Sequence, residues 1–238
     1  MSTLKTDAIE AATGTNTNLA LTGKGTGKVA IGDAALLFPD ADGSSSGDVL
    51  QTNASGVLSF ATPAAGGAWT LIGTQVASNS ADLTQTGLDS TYDTYAIGLS
   101  DMIPATDQQA PFLYVGTASG IDTGGSDYSY HTGANRASSA SYAAVAVDGN
   151  GQINLGDQVG NDTGEGFGAM LFLVRPGDGT AHPMITGTAM MVDYAGMNRG
   201  GAINATRKAV IALDRIQFKF ASGNVTSGRM TVWGISHA

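Results

Sequence analysis

Residues with the chemistry for catalysis are few in this sequence, and their spacing does not suit it. The three histidines, His131, His182 and His237, are far apart and share no spacing typical of metal ligands. Glycan hydrolysis needs two carboxylates about 5 to 9.5 Å apart, and among twenty acidic residues some pair will be that close by chance. The number of carboxylates is therefore no argument for a glycosidase, and we expect that the protein is not an enzyme.

A glycine-rich segment near the N-terminus superficially resembles a phosphate-binding loop. Only three residues separate Gly23 from Gly27 where that loop has four, and Val29 replaces the Ser or Thr that binds magnesium. We interpret the segment as a structural turn and expect no nucleotide cofactor.

Residues 148–152 begin like a calcium loop, with side-chain oxygens at the first, third and fifth positions. The sixth position is Ile153 where glycine is required, and the twelfth is Val159 where a bidentate glutamate belongs. Turns stabilised by Asp and Asn side chains are therefore the favoured interpretation, and we predict no metal. A looser calcium site stays open at three acidic residues, Asp157, Asp162 and Glu165.

Two segments have the composition of recognition loops, in which aromatic and Arg side chains stand among small polar residues. The first spans 127–136 and the second 193–199. The receptor-contact candidates are Tyr128, Tyr130, His131 and Arg136 in the first, and Tyr194 and Arg199 in the second. The alternation of Tyr128 and Tyr130 fits one buried face of an edge strand equally well, and the second segment is equally ambiguous.

The distribution of charge argues against nucleic-acid binding. The net charge is −9, and no basic residue lies between Lys28 and Arg136, a stretch with eleven aspartates. Six of the eleven basic residues fall in the last forty positions, beside the single acid Asp214. A phosphate-binding patch there is possible in principle, but we favour ion pairs with aspartates on neighbouring strands or chains.

Composition predicts an all-β fold. The chain has 34 glycines, only two glutamates and five lysines, so turn formers outnumber helix formers. No apolar stretch approaches the length of a membrane span, and the first ten residues lack the apolar core of a signal peptide. Cysteine is absent, which suits a particle assembled in a reducing cytosol and stabilised by packing and oligomerisation.

Residues 69–238 predict a β-sandwich head of jelly-roll type. We expect about ten strands, near 69–76, 93–100, 111–117, 126–131, 141–147, 167–175, 183–193, 208–213, 215–220 and 228–235. The clearest is 216–220, Ile-Gln-Phe-Lys-Phe, which alternates apolar and polar residues. Residues 62–68 are small and flexible in type, which indicates a linker, and residues 4–12 could form a short helix.

Residues 1–61 predict a β-stalk that is ordered only as an oligomer. Residues 47–52 and 56–60 flank an Asn-Ala-Ser-Gly turn at 53–56, which indicates a β-hairpin. A lone hairpin is marginal in water, so its apolar residues need copies of themselves in other chains. The predicted chain–chain seam consists of Leu19, Leu21, Val29, Ile31, Val49, Leu50, Val57, Leu58 and Phe60.

Four segments carry a resemblance to a known family. Ser-Thr-Leu-Lys-Thr-Asp-Ala-Ile at 2–9, Gly-Thr-Gly-Lys-Val-Ala-Ile-Gly at 25–32 and the run from Leu37 to Thr52 resemble the N-terminal shaft of marine bacteriophage and cyanophage tail fibres. The closing Gly-Arg-Met-Thr-Val-Trp-Gly-Ile at 228–235 resembles the last strand of phage fibre heads. Gly-Asp-Val-Leu-Gln-Thr at 47–52 also occurs in bacterial surface adhesins, and the missing signal peptide favours a phage.

The resemblance implies a homotrimeric virion protein, an intertwined trimeric β-stalk followed by the sandwich head, with no cofactor. It implies that residues 1–61 attach to other virion proteins and that the head binds a glycan or protein on the host cell surface. At 238 residues the chain is short for a long tail fibre, so a stubby fibre or tail-tip adhesin fits better. A capsid head fibre or decoration protein is the alternative, and a surface-glycan depolymerase is a weaker one.

Overall fold

The structure is a computed structural model that describes residues 30–31, 36–37, 46–52, 57–62, 68–136 and 139–236. Every regular element among them is a β-strand, and all strand pairs are antiparallel, so the predicted all-β class is confirmed. Within those ranges, no helix has the length and hydropathy that crossing a bilayer would require. The chain divides into two compact units, residues 1–66 and 67–238.

The described residues of unit 1 form two short antiparallel pairs. Strand β1 (Ala30–Ile31) pairs with β2 (Leu36–Leu37), and β3 (Val49–Thr52) pairs with β4 (Leu58–Ala61). Leu50 lies directly opposite Phe60 in the second pair, as the predicted hairpin requires. The hydroxyl of Thr62 donates to Oδ1 of Asp48 at 2.8 Å and ties the two ends of the hairpin together.

The predicted seam residues of unit 1 differ in exposure. Leu58 is buried and Val57 half-buried, whereas Val49, Leu50 and Phe60 are 45%, 40% and 38% exposed. Ile31 lies in β1, of which the backbone alone is described. Leu19, Leu21, Val29, the 53–56 turn and the predicted helix at 4–12 lie outside the described residues.

The described residues of unit 2 form thirteen strands. They are β5 (Trp69–Val76), β6 (Leu83–Thr86), β7 (Thr94–Pro104), β8 (Pro111–Thr117), β9 (Gly120–Ile121), β10 (Tyr128–Arg136), β11 (Ser139–Asn150), β12 (Ile153–Asn154), β13 (Gly166–Val174), β14 (Met184–Val192), β15 (Asn198–Arg207), β16 (Arg215–Phe220) and β17 (Val225–Ile235). An eight-stranded sheet has the order β11-β10-β15-β14-β13-β7-β17-β5. A five-stranded sheet has the order β12-β8-β16-β6, with β9 paired to β8.

One hydrophobic core joins the two sheets of unit 2. Alternate residues of β13, among them Leu171 and Leu173, are fully buried, and so are Ile216, Phe218 and Phe220 of β16. The ring of Phe167 on β13 stacks on that of Phe218 at 5.9 Å between centroids, so the inner faces of the two sheets are in contact. This period of two is the pattern that a half-buried strand shows in sequence.

The strand predictions fail at two places near the C-terminus. Residues 208–213 are irregular in conformation. Leu213 is buried, and its N–H donates to the carbonyl of Pro176 at 2.6 Å. Val210 is 45% exposed. Strand β15 was not predicted, because Asn198–Arg207 contains a Gly-Gly pair and one large aliphatic residue, Ile203. It forms because β10 and β14 supply hydrogen-bond partners on both of its sides.

Candidate functional site

A groove of about 490 Å³ lies on the inner face of the eight-stranded sheet, at the end formed by β11, β10, β15 and β14. Its floor consists of inward-facing residues of these four strands, and its wall is the segment 154–157, which begins at the last residue of β12. Leu155 fixes the wall, since its side chain is buried and its N–H donates to the carbonyl of Pro111 at 2.9 Å. The groove exists because the larger sheet extends past the edge strand of the smaller one.

Small and aliphatic side chains make the floor apolar. Floor residues include Thr132 and Ala134 of β10, Val145 of β11, Ala189 of β14 and Ile203 of β15. Polar groups stand around this floor, namely Asn135, Asn154, Asp157 and Arg199. An apolar concavity with a few convergent polar groups is the usual form of a ligand site.

The turn between β14 and β15 positions the charged groups at the groove. The Asp193 side chain is fully buried, and its Oδ1 accepts hydrogen bonds from the N–H groups of Ala195 at 3.0 Å and Met197 at 2.9 Å. Gly196 has a φ of 69°, the left-handed conformation that glycine tolerates best. The carboxylate therefore fixes the shape of the turn.

Arg199 forms ion pairs with two aspartates from different segments. Its Nε lies 2.5 Å from Oδ2 of Asp193, and its Nη1 pairs with Oδ2 of Asp157. The Arg199 side chain is 14% exposed and that of Asp157 is 55% exposed. The three groups carry a net charge of −1 in total, and the guanidinium clamps the turn to the groove wall.

The first predicted recognition loop is a β-strand, and two of its candidates lie in the core. Tyr128 is fully buried and Tyr130 is 4% exposed, so neither side chain can contact a receptor at the surface of unit 2. The prediction that Tyr128 and Tyr130 contact a receptor is therefore wrong, and the structure places both side chains on one buried face of the strand, which was the alternative. The strand is internal and not at an edge, because β10 pairs with both β11 and β15.

Tyr128 connects the two sheets through its hydroxyl. The hydroxyl oxygen accepts from the N–H of Val115 at 3.0 Å and donates to the carbonyl of Asp122 at 2.8 Å. Arg207 lies over the ring at 5.9 Å and pairs with Asp122 at 2.8 Å and Asp127 at 3.1 Å. Burial raises the pKa of the phenol far above its usual range. These contacts of Tyr128 and Arg207 therefore stabilise the packing of one sheet on the other.

The remaining candidates lie at separate places. His131 is exposed on the face of β10 opposite to the tyrosines, in a hollow of about 350 Å³ that also contains Thr186 and Asn204. Thr186 Oγ1 donates to Asn204 Oδ1 at 2.9 Å there. Arg136 ends β10, and its side chain is outside the described part of the structure. Tyr194 is 38% exposed on the 193–197 turn, so the structure leaves it available for contact.

Four of the six cations near the C-terminus, Arg199, Arg207, Lys208 and Arg215, form ion pairs with aspartates. Besides Arg199 and Arg207, Lys208 pairs with Asp148 at 2.6 Å and Arg215 with Asp214 at 3.0 Å. No cluster of three acidic, histidine or cysteine side chains suited to a metal occurs in the described ranges. Glu165, one of the open calcium candidates, instead accepts from the N–H of Asp162 at 2.9 Å.

Ser45 occupies the central position of a Gly-x-Ser-x-Gly sequence, the pattern around the nucleophile of many hydrolases. Residues 43–47 read Gly-Ser-Ser-Ser-Gly, and in hydrolases that pattern places the central serine between a strand and a helix. Ser45 lies outside the described residues. The residues that follow it, 46 and 47, form a turn before β3, which is not the context that the motif requires.

Sequence reasoning missed most of the groove. Asn135, Ala134, Val145 and the 154–157 wall carry no local signal, because they meet only through the pairing of distant strands. No protein-family model matches the chain, and neither a curated protein nor a solved structure matches it. The case for function therefore depends on geometry and on the resemblance described above.

Proposed function

We propose that the protein is a structural, fibre-like phage virion protein, in which unit 1 assembles and attaches to the particle and unit 2 contacts the host surface. The observation that carries the proposal is the apolar hairpin of unit 1. Leu50 and Phe60 are direct cross-strand neighbours, and about two-fifths of each side chain is exposed in the single chain. Two strands alone do not bury such a pair, whereas copies of the chain would.

The proposed oligomer is a homotrimer in which β3 and β4 contribute to an intertwined stalk. A stalk of this kind would join the edges of the two-stranded sheets to strands of other chains. The finer description of unit 2 as a jelly-roll-like sandwich belongs to the same proposal. It is supported by two antiparallel sheets that share one core.

The groove of unit 2 is the proposed contact site for a glycan or protein on the host surface. It combines a rigid scaffold of four strands with an exposed turn that presents Tyr194, an arrangement typical of binding sites on loops. The site suits binding better than glycan cleavage, because both nearby carboxylates, Asp157 and Asp193, are engaged by Arg199. A glycosidase would need one carboxyl group available as an acid.

Two experiments on the phage that encodes this chain test the proposal. Negative-stain imaging with an antibody against unit 2 should label the tail tip, and virions that lack the chain should lose adsorption to host cells. Label on the capsid with normal adsorption would instead indicate the head-fibre or decoration protein. Purified full-length chain should sediment as a trimer of three 24.0 kDa chains. A monomer at micromolar concentration would contradict the stalk.

A further inference from the structure

The outer face of the eight-stranded sheet carries a patch of large apolar side chains, which we call the aromatic face. Its most exposed members are Leu71 at 59%, Trp69 at 44% and Met170 at 39%. Trp233 and Phe172 lie half-buried among them. The face is on the side opposite to the core, because the alternate residues of the same strands, such as Leu171 and Val232, are fully buried.

The aromatic face is continuous across five strands. Trp69 packs against Trp233 at 5.8 Å and edge-on against Phe172 at 6.2 Å between ring centroids. Gly98 gives the indole of Trp233 its room, since a Cβ there would lie 3.1 Å from the ring. The rings thus form one cluster that connects β5, β17 and β13 over the glycine of β7.

Three rows of paired residues across the face contain no ionisable side chain. They are Trp69, Ile235, Thr94, Val174 and Met184; Leu71, Trp233, Ala96, Phe172 and Thr186; and Thr74, Thr231, Gly98, Met170 and Thr188. Charged residues border these rows at both ends, with Arg229 opposite Val76 at one end and Asp93, Arg175 and Asp178 in a hollow beside Thr94 and Val174 at the other. The chain has a net charge of −9, so a neutral surface of this extent favours an uncharged partner surface over a charged one.

We propose that the aromatic face of unit 2 packs against the same face of a second copy of this chain. Monomers rarely expose continuous apolar patches beyond a few hundred Å². Five strands spaced about 4.8 Å apart, with three outward residues along each at intervals of about 6.8 Å, give a footprint of roughly 500 Å². This footprint is smaller than the roughly 800 Å² per partner of a standard stable interface, so the contact depends on unit 1 to hold the copies together.

Charge favours a second copy as the occupant. Two copies of an acidic chain repel each other wherever carboxylates meet, and the three central rows bring none together. When the same face of each copy turns toward the three-fold axis of the proposed trimer, both sides of every contact belong to the same uncharged surface, so no carboxylates are brought together. An acidic or basic partner would find no complementary charge on these rows.

The proposed oligomer of unit 1 would also bring copies of the face close together. Seven residues separate the end of β4 at Ala61 from Trp69, the first residue of β5. Fully extended they span about 25 Å, so copies joined through unit 1 hold their aromatic faces at an effective concentration in the millimolar range. The argument from effective concentration rests on the proposed oligomer of unit 1. The argument from the composition of the face is independent of it.

Tryptophan fluorescence of the full-length chain tests the proposal directly. The chain has two tryptophans, and both belong to the aromatic face, so quenching by acrylamide reports on this surface alone. At concentrations where sedimentation shows an oligomer, we expect weak quenching and blue-shifted emission. Leu71→Asp should raise the quenching constant several-fold, because it places a charge in the contact. Val210→Asp, at an exposed apolar residue outside the sheet, is the matched control and should change nothing.

Cross-linking identifies what covers the face. The chain lacks cysteine, so Leu71→Cys introduces one thiol per copy, and a flexible bis-maleimide should join copies at that position. Val210→Cys should give far less product. An oligomer with exposed tryptophans would overturn this proposal and leave the stalk intact. Shielded tryptophans in a monomer, or an oligomer shielded without cross-linking at position 71, would assign the face to another occupant and also overturn it.

Discussion

Nε of Arg199 lies 2.5 Å from Oδ2 of Asp193, and the carboxylate is fully buried. The other carboxylate oxygen of Asp193, Oδ1, accepts hydrogen bonds from two backbone N–H groups of its own turn. The second ion pair of Arg199, with Asp157, connects this turn to the groove wall. The charged side chains at the mouth of the groove, Asp157, Asp193 and Arg199, are therefore fixed by their ion pairs with one another.

The first prediction concerns the buried ion pair. Arg199→Met keeps much of the side-chain volume but leaves the Asp193 carboxylate buried without its cation, so we expect a loss of about 3 kcal/mol in the free energy of unfolding. Urea unfolding followed by circular dichroism measures it. The matched control is Lys208→Met, whose partner Asp148 is 81% exposed, and it should cost far less. Equal effects of the two substitutions would contradict the structural role of Arg199.

How far the sequence predicts this molecule depends on whether neighbouring residues alone determine a feature. Ile216–Phe220 and the 49–61 hairpin were predictable, because alternation and a turn are local patterns. Tyr128 and Tyr130 were ambiguous, since period two marks a strand but does not say which face the core will cover. The groove and the buried Asp193 were not predictable, because strand order in the sheet decides both.

The second prediction tests the hydroxyl that joins the sheets. Tyr128→Phe leaves the N–H of Val115 and the carbonyl of Asp122 without their partner in a buried place. We expect a loss of about 1–3 kcal/mol in the free energy of unfolding, measured by urea titration, with the sheet structure retained. Tyr194→Phe removes a hydroxyl from an exposed side chain and should cost little. A Tyr128→Phe variant as stable as the parent would contradict the role of the hydroxyl in joining the sheets.

The third prediction is a decrease in stability at high pH. Burial raises the pKa of Tyr95 to about 12, and its hydroxyl accepts from the N–H of Asp89 at 2.9 Å. The unfolded chain releases this proton near pH 10, so the folded state binds the proton more tightly. Its stabilisation is complete below pH 10 and is lost as pH rises through 12.

Between pH 8 and pH 11 this linkage should remove about 1 kcal/mol from the free energy of unfolding. Tyr95→Phe is expected to be less stable at pH 8 but to lose less on going to pH 11. Urea midpoints at the two pH values measure the difference, with Tyr194→Phe as the control for an exposed phenol. A Tyr95→Phe curve parallel to that of the unmodified chain would assign the alkaline loss to other groups.

The fourth prediction addresses the seam of unit 1. Phe60→Asp places a charge in the proposed apolar contact between chains, which is costly without a partner. The oligomer should dissociate in sedimentation while unit 2 keeps its melting temperature. Ser59→Asp adds the same charge to the adjacent exposed residue on the other side of β4 and should leave the oligomer intact. A Phe60→Asp protein that remains an oligomer would place the seam elsewhere.

The last prediction concerns the groove as the host contact. Val145 is 48% exposed on the groove floor, so Val145→Trp should fill the cavity without disturbing the buried core. Anchors in an interface typically cost about 2 kcal/mol or more when their contact is lost, so adsorption affinity should fall at least about tenfold. Thermal unfolding should barely change, and Val210→Trp, outside the groove, should adsorb normally. If Val145→Trp phage adsorb as well as the parent, the receptor contact lies elsewhere on unit 2, and the exposed turn at Tyr194 becomes the next site to test by alanine substitution.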